Sequence, residues 1–315
     1  MDIFDEKGIK PMLIAEMQEA FDSENYIFEL KLDGIRCIAY LDKDSTDLRN
    51  KRDFKLIPRF PELDQLHRYV NEKCILDGEL IAMNNGVPDF YELQRRTLLS
   101  DPFKMQLSAK KYPVSFIAYD IIYYKDSLVT DLPLSERKKL LEKTVNEMDR
   151  FAISRYIETN GKALYQVAEQ QKLEGIVAKD KNSKYWFDKK SRDWIKIKYM
   201  KDEDFVVCGY ILKENNMTSL IIAQYNEANE LIYKGHVTLG VSLRKLNQYK
   251  YKEIAVSPIK EVPSGSGNED AVWLEPTLVC TVEYMPNDRG SLRQPVLKGI
   301  REDKLPNECR EYLKV

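Results

Sequence analysis

Through residue 200 the chain alternates short apolar runs with charged stretches. Residues 26–31, 37–41, 74–82, 115–123, 175–178 and 194–199 are rich in Ile, Val, Phe and Tyr, and they predict strands. Between them, residues 60–71, 90–99, 135–148 and 162–172 predict helices. Ser135 follows Pro133 and is placed to cap the third of these, with Leu140, Leu141 and Val145 forming its apolar face. Beyond residue 204 the texture changes to strands with little helix. Strands are expected at 205–212, 219–225, 231–238, 278–284 and 295–298, one helix at 242–251, and a flexible loop at Pro263-Ser264-Gly265-Ser266-Gly267-Asn268. This layering predicts an α+β domain of mixed or antiparallel sheets over residues 1–200. A small all-β Greek-key barrel of the oligonucleotide-binding (OB) type is expected over 201–315. The polar tetrad Lys201-Asp202-Glu203-Asp204 marks the boundary and is a candidate hinge.

Composition removes several classes. The 315 residues are 43% hydrophobic and 32% charged, enough for a buried core and too apolar for disorder. Lys and Arg number 49 against 51 Asp and Glu, a net charge of −2, so a polyanionic partner would have to be held by local basic patches. Cys37, Cys74, Cys208, Cys280 and Cys309 are widely spaced without a CxxC pair, and neither His67 nor His236 stands at ligand spacing from them. That argues against a structural zinc site and a disulfide framework. The start of the chain carries Asp2, Asp5, Glu6, Lys7 and Lys10 and does not read as a signal peptide. The most apolar stretch, 114–124, is broken by Asp120 and too short to span a bilayer. The expectation is a soluble, cytoplasmic protein with no membrane partner.

Five segments carry chemistry. In Glu29-Leu30-Lys31-Leu32-Asp33-Gly34-Ile35-Arg36 a lysine ends a strand, and an acid, a glycine and an arginine follow, with Lys31 and Asp33 projecting to one side. A lysine becomes a nucleophile only when desolvation or nearby cations pull its pKa well below the free value of about 10.4. Taken alone the segment reads better as a solvated strand end and a turn acid. Asp77-Gly78-Glu79 places acids in an apolar run, where a buried carboxylate needs a donor or a metal; a type I turn is the alternative. The third segment holds Tyr119 and Asp120, and the fourth turns from helix to strand at Glu174. In the fifth, Trp194, Lys196 and Lys198 share one face of a strand, and paired lysines on a half-buried face need an anion unless they blunt an edge strand. Together the segments gather a candidate nucleophile, two acids for a ribose or a metal, and two cations for phosphate. With no Gly-rich P-loop and no GxGxxG, phosphate would be held by side chains.

Lys31-Leu32-Asp33-Gly34-Ile35-Arg36 resembles the KxDGxR nucleotidyl-transfer motif of ATP-dependent DNA ligases and their capping-enzyme and RNA-ligase relatives. Asp77-Gly78-Glu79, Tyr119-Asp120, Glu174-Gly175-Ile176-Val177 and Lys196-Ile197-Lys198 resemble that family's later motifs, in order. Pro11-Met12-Leu13, Arg49-Asn50 and Arg59-Phe60-Pro61-Glu62-Leu63 agree as well. In the second domain, Trp273-Leu274-Glu275-Pro276, Val282-Glu283-Tyr284, Leu292-Arg293-Gln294-Pro295 and the run from Lys298 to Lys304 resemble the ligase domain of bacterial DNA ligase D.

The resemblance implies an adenylation (nucleotidyltransferase) domain followed by an OB-fold domain, with ATP and Mg²⁺ or Mn²⁺ as cofactors. Lys31, assisted by Asp33, would form a phosphoramide with AMP, which passes to the 5′-phosphate of a nick and is displaced by the 3′-hydroxyl. Glu79 would bind the ribose, Tyr119 would stack on adenine, and Glu29 and Arg36 would contact the nucleotide. Glu174 would coordinate the metal, while Lys196 and Lys198 hold the α-phosphate. Arg301, Asp303 and Lys304 would orient pyrophosphate in the first step only. Arg49, Lys190 and Arg293 would touch nucleic acid. The expected partners are nicked duplex DNA and a Ku-like end-binding protein, and the expected state is a monomer. The expected form is minimal, without the extra DNA-binding, polymerase or phosphoesterase modules of larger relatives, and so with a weak, salt-sensitive hold on DNA. An RNA ligase or a GTP-using capping enzyme, and a non-catalytic nucleic-acid-binding protein, are the competing readings.

Overall fold

The computed structural model describes residues 2–84, 87–213, 217–238, 240–265, 267–286 and 292–311. The chain divides into two compact units, Met1–Lys198 and Tyr199–Val315.

In the first unit, β1 (Leu13–Met17), β2 (Ser23–Leu30), β10 (Tyr156–Thr159), β11 (Gly175–Asp180) and β12 (Lys190–Lys198) form one sheet in the order β1-β12-β11-β2-β10. Its pairs are antiparallel except β1 with β12, which run parallel. A second sheet orders β4 (Thr46–Asn50), β3 (Ile35–Leu41), β5 (Cys74–Asn84), β7 (Val114–Tyr124) and β8 (Ser127–Leu128), with β6 (Val87–Pro88) on β5 and β9 (Phe151–Ile153) parallel to β7. Strand alternation sorts the side chains. Ile176, Ala178, Ile195 and Ile197 turn to one face and pack with Phe28 and Ala168, the latter from helix α5 (Gly161–Gln170). Val177 and Trp194 turn to the other face and join Ile38, Tyr40, Ile75 and Tyr119 of the second sheet in a shared core layer. The remaining helices are α1 (Ile3–Glu6), α2 (Phe90–Thr97), α3 (Pro102–Lys111) and α4 (Leu134–Thr144).

The second unit is an antiparallel six-stranded sheet in the order β15 (Leu231–Val237), β14 (Thr218–Tyr225), β13 (Lys201–Leu212), β17 (Val272–Met285), β16 (Glu253–Ile254), with β18 (Arg293–Arg301) also on β17; its described residues include a short α-helix, α6 (Leu243–Leu246). All five cysteines are buried and free. Among the described residues no helix is long and apolar enough to cross a membrane.

Several expectations are corrected. Residues 60–71 form two 3₁₀ turns, Pro61–Leu63 and Leu66–Tyr69, burying Leu63 and Leu66 three residues apart, the 3₁₀ period. Ser135 is not the cap of α4: Pro133 precedes the first helical residue, and the helix stops at Thr144 with Val145 extended. The helix at 242–251 shrinks to Leu243–Leu246, and α3 was not anticipated. Asp77-Gly78 is the middle of β5 and not a turn. The tetrad 201–204 is no bare hinge, because it opens β13 and pairs residue by residue with Tyr284, Glu283, Val282 and Thr281. Asp204 accepts hydrogen bonds from Thr281 Oγ1 (2.5 Å) and Lys304 Nζ (2.6 Å), and Glu203 accepts one from the Tyr284 hydroxyl. Of the expected loop 263–268, Ser266 lies outside the described residues.

Candidate active site

The β2–β11–β12 register assembles the first half of the site. Leu30 pairs with Ile176, Val177 with Lys196 and Gly175 with Lys198, and the Lys31 amide donates to Gly175 O (2.9 Å). Lys31 therefore leaves the strand end beside Glu174. Its Nζ lies 2.9 Å from Glu174 Oε2, and Lys198 Nζ lies 3.6 Å from Glu174 Oε1. Gly175 has φ +133°, and a Cβ there would sit 2.1 Å from Ile197 O, so only glycine lets the turn close this tightly. Burial, opposed by Glu174 and reinforced by Lys31 and Lys196, lowers the Lys198 pKa. β12 is flanked on both sides, which removes the reading of Lys196 and Lys198 as edge-strand lysines.

The second half comes from the facing sheet. Gly34 lets β3 approach β5, since a Cβ would fall 2.1 Å from Leu80 O, and the register then sets Arg36 opposite Glu79. Arg36 forks onto the fully buried Asp77, Nε to Oδ1 and Nη2 to Oδ2 at 2.6 Å each, and donates to Met12 O. The Tyr185 hydroxyl gives Asp77 a third donor at 2.7 Å. The carboxylate in the apolar strand is thus neutralised by an arginine whose guanidinium carbon also lies 5.1 Å from the Tyr119 ring centroid.

Between the two halves is an open cleft walled by Ile14, Leu30, Val177, Tyr119 and Trp194 and bearing the ionisable groups of Glu29, Lys31, Arg36 and Glu79. Of the expected site residues, Glu29, Lys31, Arg36, Glu79 and Tyr119 line it. Glu174 and Lys198 are tied to it through Lys31, and Lys196 stands opposite Val177 in the register. Asp33 is half-buried in the turn after β2. The others are elsewhere. Arg49 is clamped by Asp47 (3.0 Å) and Asp53 (2.8 Å), and Lys190 is exposed at the far end of β12. Arg293, Arg301, Asp303 and Lys304 belong to the second unit, where Arg301 forks onto Asp303 and Lys304 onto Asp204.

Six further lining residues are outside the expected site set: Ile14, Leu30, Leu32, Val177, Lys179 and Trp194. Period-two alternation from Gly175 would have placed Val177 and Lys179 on the cleft face. Lys179 is 2% exposed, donates to Glu29 Oε2 (3.0 Å), and lies 4.5 and 4.1 Å from the Tyr119 and Trp194 rings. Burial pulls its pKa down to about 8.

Burial also pushes the Glu79 carboxyl up to about 8, with Arg36 and Lys31 pulling the other way. In the folded chain it keeps its proton to about pH 8, whereas the unfolded chain releases it at the ordinary value of 4.5. The native state binds more protons across that interval, so this residue's contribution to stability is full below 4.5 and is lost as pH rises through 8. Glu79→Gln is therefore expected to gain thermal stability relative to the parent as pH climbs from 4.5 through about 8. A difference in Tm that stays flat with pH would refute the raised pKa.

Residues 11–198 match the model of the ATP dependent DNA ligase domain, and residues 213–304 match that of the ATP dependent DNA ligase C terminal region.

The chain belongs to the ATP-dependent DNA ligases.

The ligase is 32% identical over 295 residues to the SPbeta prophage-derived DNA ligase-like protein LigB of Bacillus subtilis, covering 93% of this chain and 99% of that protein. It is 28% identical over 310 residues to the multifunctional non-homologous end joining protein LigD of Pseudomonas aeruginosa, covering 94% of this chain but 36% of that protein. Against such multifunctional relatives the ligase spans well under half the length. A mycobacterial DNA ligase D structure complexed with ATP and MES aligns over 99% of this chain and 100% of that one, with TM-score 0.57 and 24% identity. A Lig E DNA ligase structure aligns over 92% and 99% with TM-score 0.59 and 19% identity. The fold is that of these enzymes, a nucleotidyltransferase domain followed by an OB-fold domain.

Proposed function

We propose that this ligase seals 5′-phosphate/3′-hydroxyl nicks in duplex DNA through an AMP carried on Lys31, in DNA repair or end joining. The observation that carries the reading is the Lys31–Glu174–Lys198 cluster at the end of the cleft. In the first step the Lys31 amine attacks the α-phosphorus of ATP. A P–N bond forms, the bond to the β-phosphate oxygen breaks, and pyrophosphate leaves. The AMP is then transferred to the nick 5′-phosphate, and the 3′-hydroxyl displaces it to form the phosphodiester. Lys198 and Lys196 neutralise the α-phosphate, Tyr119 flanks the base, and Glu79, still protonated at neutral pH, donates to a ribose oxygen. Among the described residues no group of three acids, histidines or cysteines could cage a metal. Glu174 is a single carboxylate beside the cleft, which suits Mg²⁺ or Mn²⁺ shared with nucleotide phosphates. The bound cation would supply charge neutralisation. Partners are nicked DNA and, by likeness to the end-joining relatives, a Ku-like protein; the working place is the cytoplasmic nucleoid.

The test is incubation with Mg²⁺ and α-labelled ATP, GTP or NAD in parallel, followed by a denaturing gel and a nick-sealing assay. A labelled band from ATP alone, with sealing, is the expected result. A band from GTP would move the protein to the capping class, and no band from the folded, non-adenylated protein would end the enzymatic reading.

In the second unit Lys304 and Arg301 are proposed to orient pyrophosphate. Lys304→Ala should therefore slow adduct formation about tenfold or more, as expected for loss of one ionic contact to phosphate, while sealing of a pre-adenylated nick keeps its rate. Equal losses in the two assays would contradict that role.

A further inference from the structure

A closed ring of hydrogen bonds lies behind the cleft wall. Arg36 Nη2 donates to Met12 O (3.1 Å) and to Asp77 Oδ2 (2.6 Å), and the Tyr185 hydroxyl donates to that same Oδ2 (2.7 Å). The hydroxyl also accepts from the Met12 amide (3.2 Å), which completes the circle. Four separate segments meet here: the approach to β1, β3, β5 and the connection between β11 and β12. Met12 and Asp77 are 0% exposed and Tyr185 is 3% exposed, so water does not substitute for a missing member. Burial beside Asp77 pushes the Tyr185 phenol well above its ordinary pKa, and the hydroxyl therefore keeps the proton it donates.

The ring uses one side of the Arg36 guanidinium and leaves the other. Nε and Nη2 are spent on Asp77 and Met12, while Nη1 donates to no described residue. The Arg36 side chain is 19% exposed and lines the cleft, so Nη1 is the edge left for a ligand. Across the sheet Arg36 pairs with Glu79, the residue read above as the ribose contact. Neither Asp77 nor Tyr185 lines the cleft, and each can touch a ligand only through Arg36. A long arginine side chain has many rotamers, and holding it in one before the ligand arrives removes an ordering cost from binding.

We propose that Tyr185 is a positioning residue for the nucleotide: through Asp77 and Met12 it locks the Arg36 guanidinium in the orientation that turns Nη1 to the cleft. The inference rests on adenylation of Lys31 by ATP. On the sugar side of the site Arg36 meets a part of the nucleotide that does not react. Disorder there weakens ground and transition states alike, so it raises KM more than it slows the chemistry. Tyr185→Phe isolates the effect, because the ring keeps its edge contacts to Phe187 (5.8 Å) and Trp194 (6.1 Å) and only the hydroxyl is lost.

The experiment follows enzyme–AMP formation by the full chain against ATP concentration, with a thermal melt of each variant. Tyr185→Phe should raise KM for ATP about tenfold and leave the maximal rate of adduct formation within about twofold. In an Arg36→Lys background, which has no fork to hold, adding Tyr185→Phe should change KM by less than about twofold. An unchanged KM in folded Tyr185→Phe would overturn the inference, and with a lowered Tm it would leave the hydroxyl a purely structural role. The full tenfold loss repeated in the Arg36→Lys background would overturn it too, since Tyr185 would then act by another route. Should Tyr185→Phe not fold, Asp77→Asn decides, because it cuts the same ring from the other side: KM should again rise about tenfold, and an unchanged KM would overturn the inference. Failure of the parent to form an adduct with ATP would sink the enzymatic reading itself, a different result from normal adduct formation with KM unmoved in the variants.

Discussion

Lys31→Ala is expected to leave no labelled adduct with ATP, a fall of at least about 10⁴-fold, the scale of removing a covalent nucleophile. Lys31→Arg should be equally inert, because a guanidinium stays protonated and offers no lone pair. The fold should survive. Lys31 is partly exposed, and Glu174 retains Lys198, so stability should change by no more than about 1 kcal/mol. Sealing of a nick that already carries AMP needs no amine nucleophile, and Lys31→Ala should retain it. An adduct formed by either variant would disprove the assignment of the nucleophile; loss of sealing on a pre-adenylated nick would show that Lys31 also serves the last step.

The largest loss of stability is expected at Arg137. Its side chain and that of Asp120 are 0% exposed, and they form a two-pronged pair, Nε to Oδ1 at 2.8 Å and Nη2 to Oδ2 at 2.9 Å. Nη1 also donates to the carbonyls of Leu132 (2.6 Å) and Ser183 (2.8 Å). Arg137→Ala would strand a buried carboxylate and two carbonyls, a loss of about 3–5 kcal/mol against a typical total of about 5–15. Arg137→Lys, keeping the charge but not the fork, should fall between. Urea denaturation reads both. A loss below about 1 kcal/mol for Arg137→Ala would mean that water or a rearranged side chain takes over the pair. Because Asp120 follows Tyr119 directly, the damage should extend to the cleft wall.

Most of the strands could be read from the sequence, because runs such as 115–123 and 205–212 carry their own β propensity and become central strands. The five chemical segments were equally legible, since strand alternation alone puts Trp194, Lys196 and Lys198 on one face. Other features depend on long-range contact. α3 was missed because Phe103 and Leu107 are exposed, leaving no clean apolar stripe to find. Lys138 sits in the run Glu136-Arg137-Lys138-Lys139, which has the composition of a solvated helix face. It goes inside because Glu29, more than a hundred residues earlier, waits there. Asp77 could not be told from a turn residue until Arg36 and Tyr185 closed around it. Isolated polar residues in a sequence do not announce their partners.

The strand order of the first unit also bears on how the chain comes off the ribosome. β1 near the start has β12 as its sheet partner, and β12 ends the unit at Lys198. A nascent chain that has not yet delivered residues 190–198 leaves β1 unpaired and β11 with one open side. The segment that bears Lys196 and Lys198 is thus also the closing seam of its domain. Completion of the nucleotide site and completion of this sheet are therefore one event, and a prematurely terminated product would be both inactive and open-edged, a form that quality control can recognise.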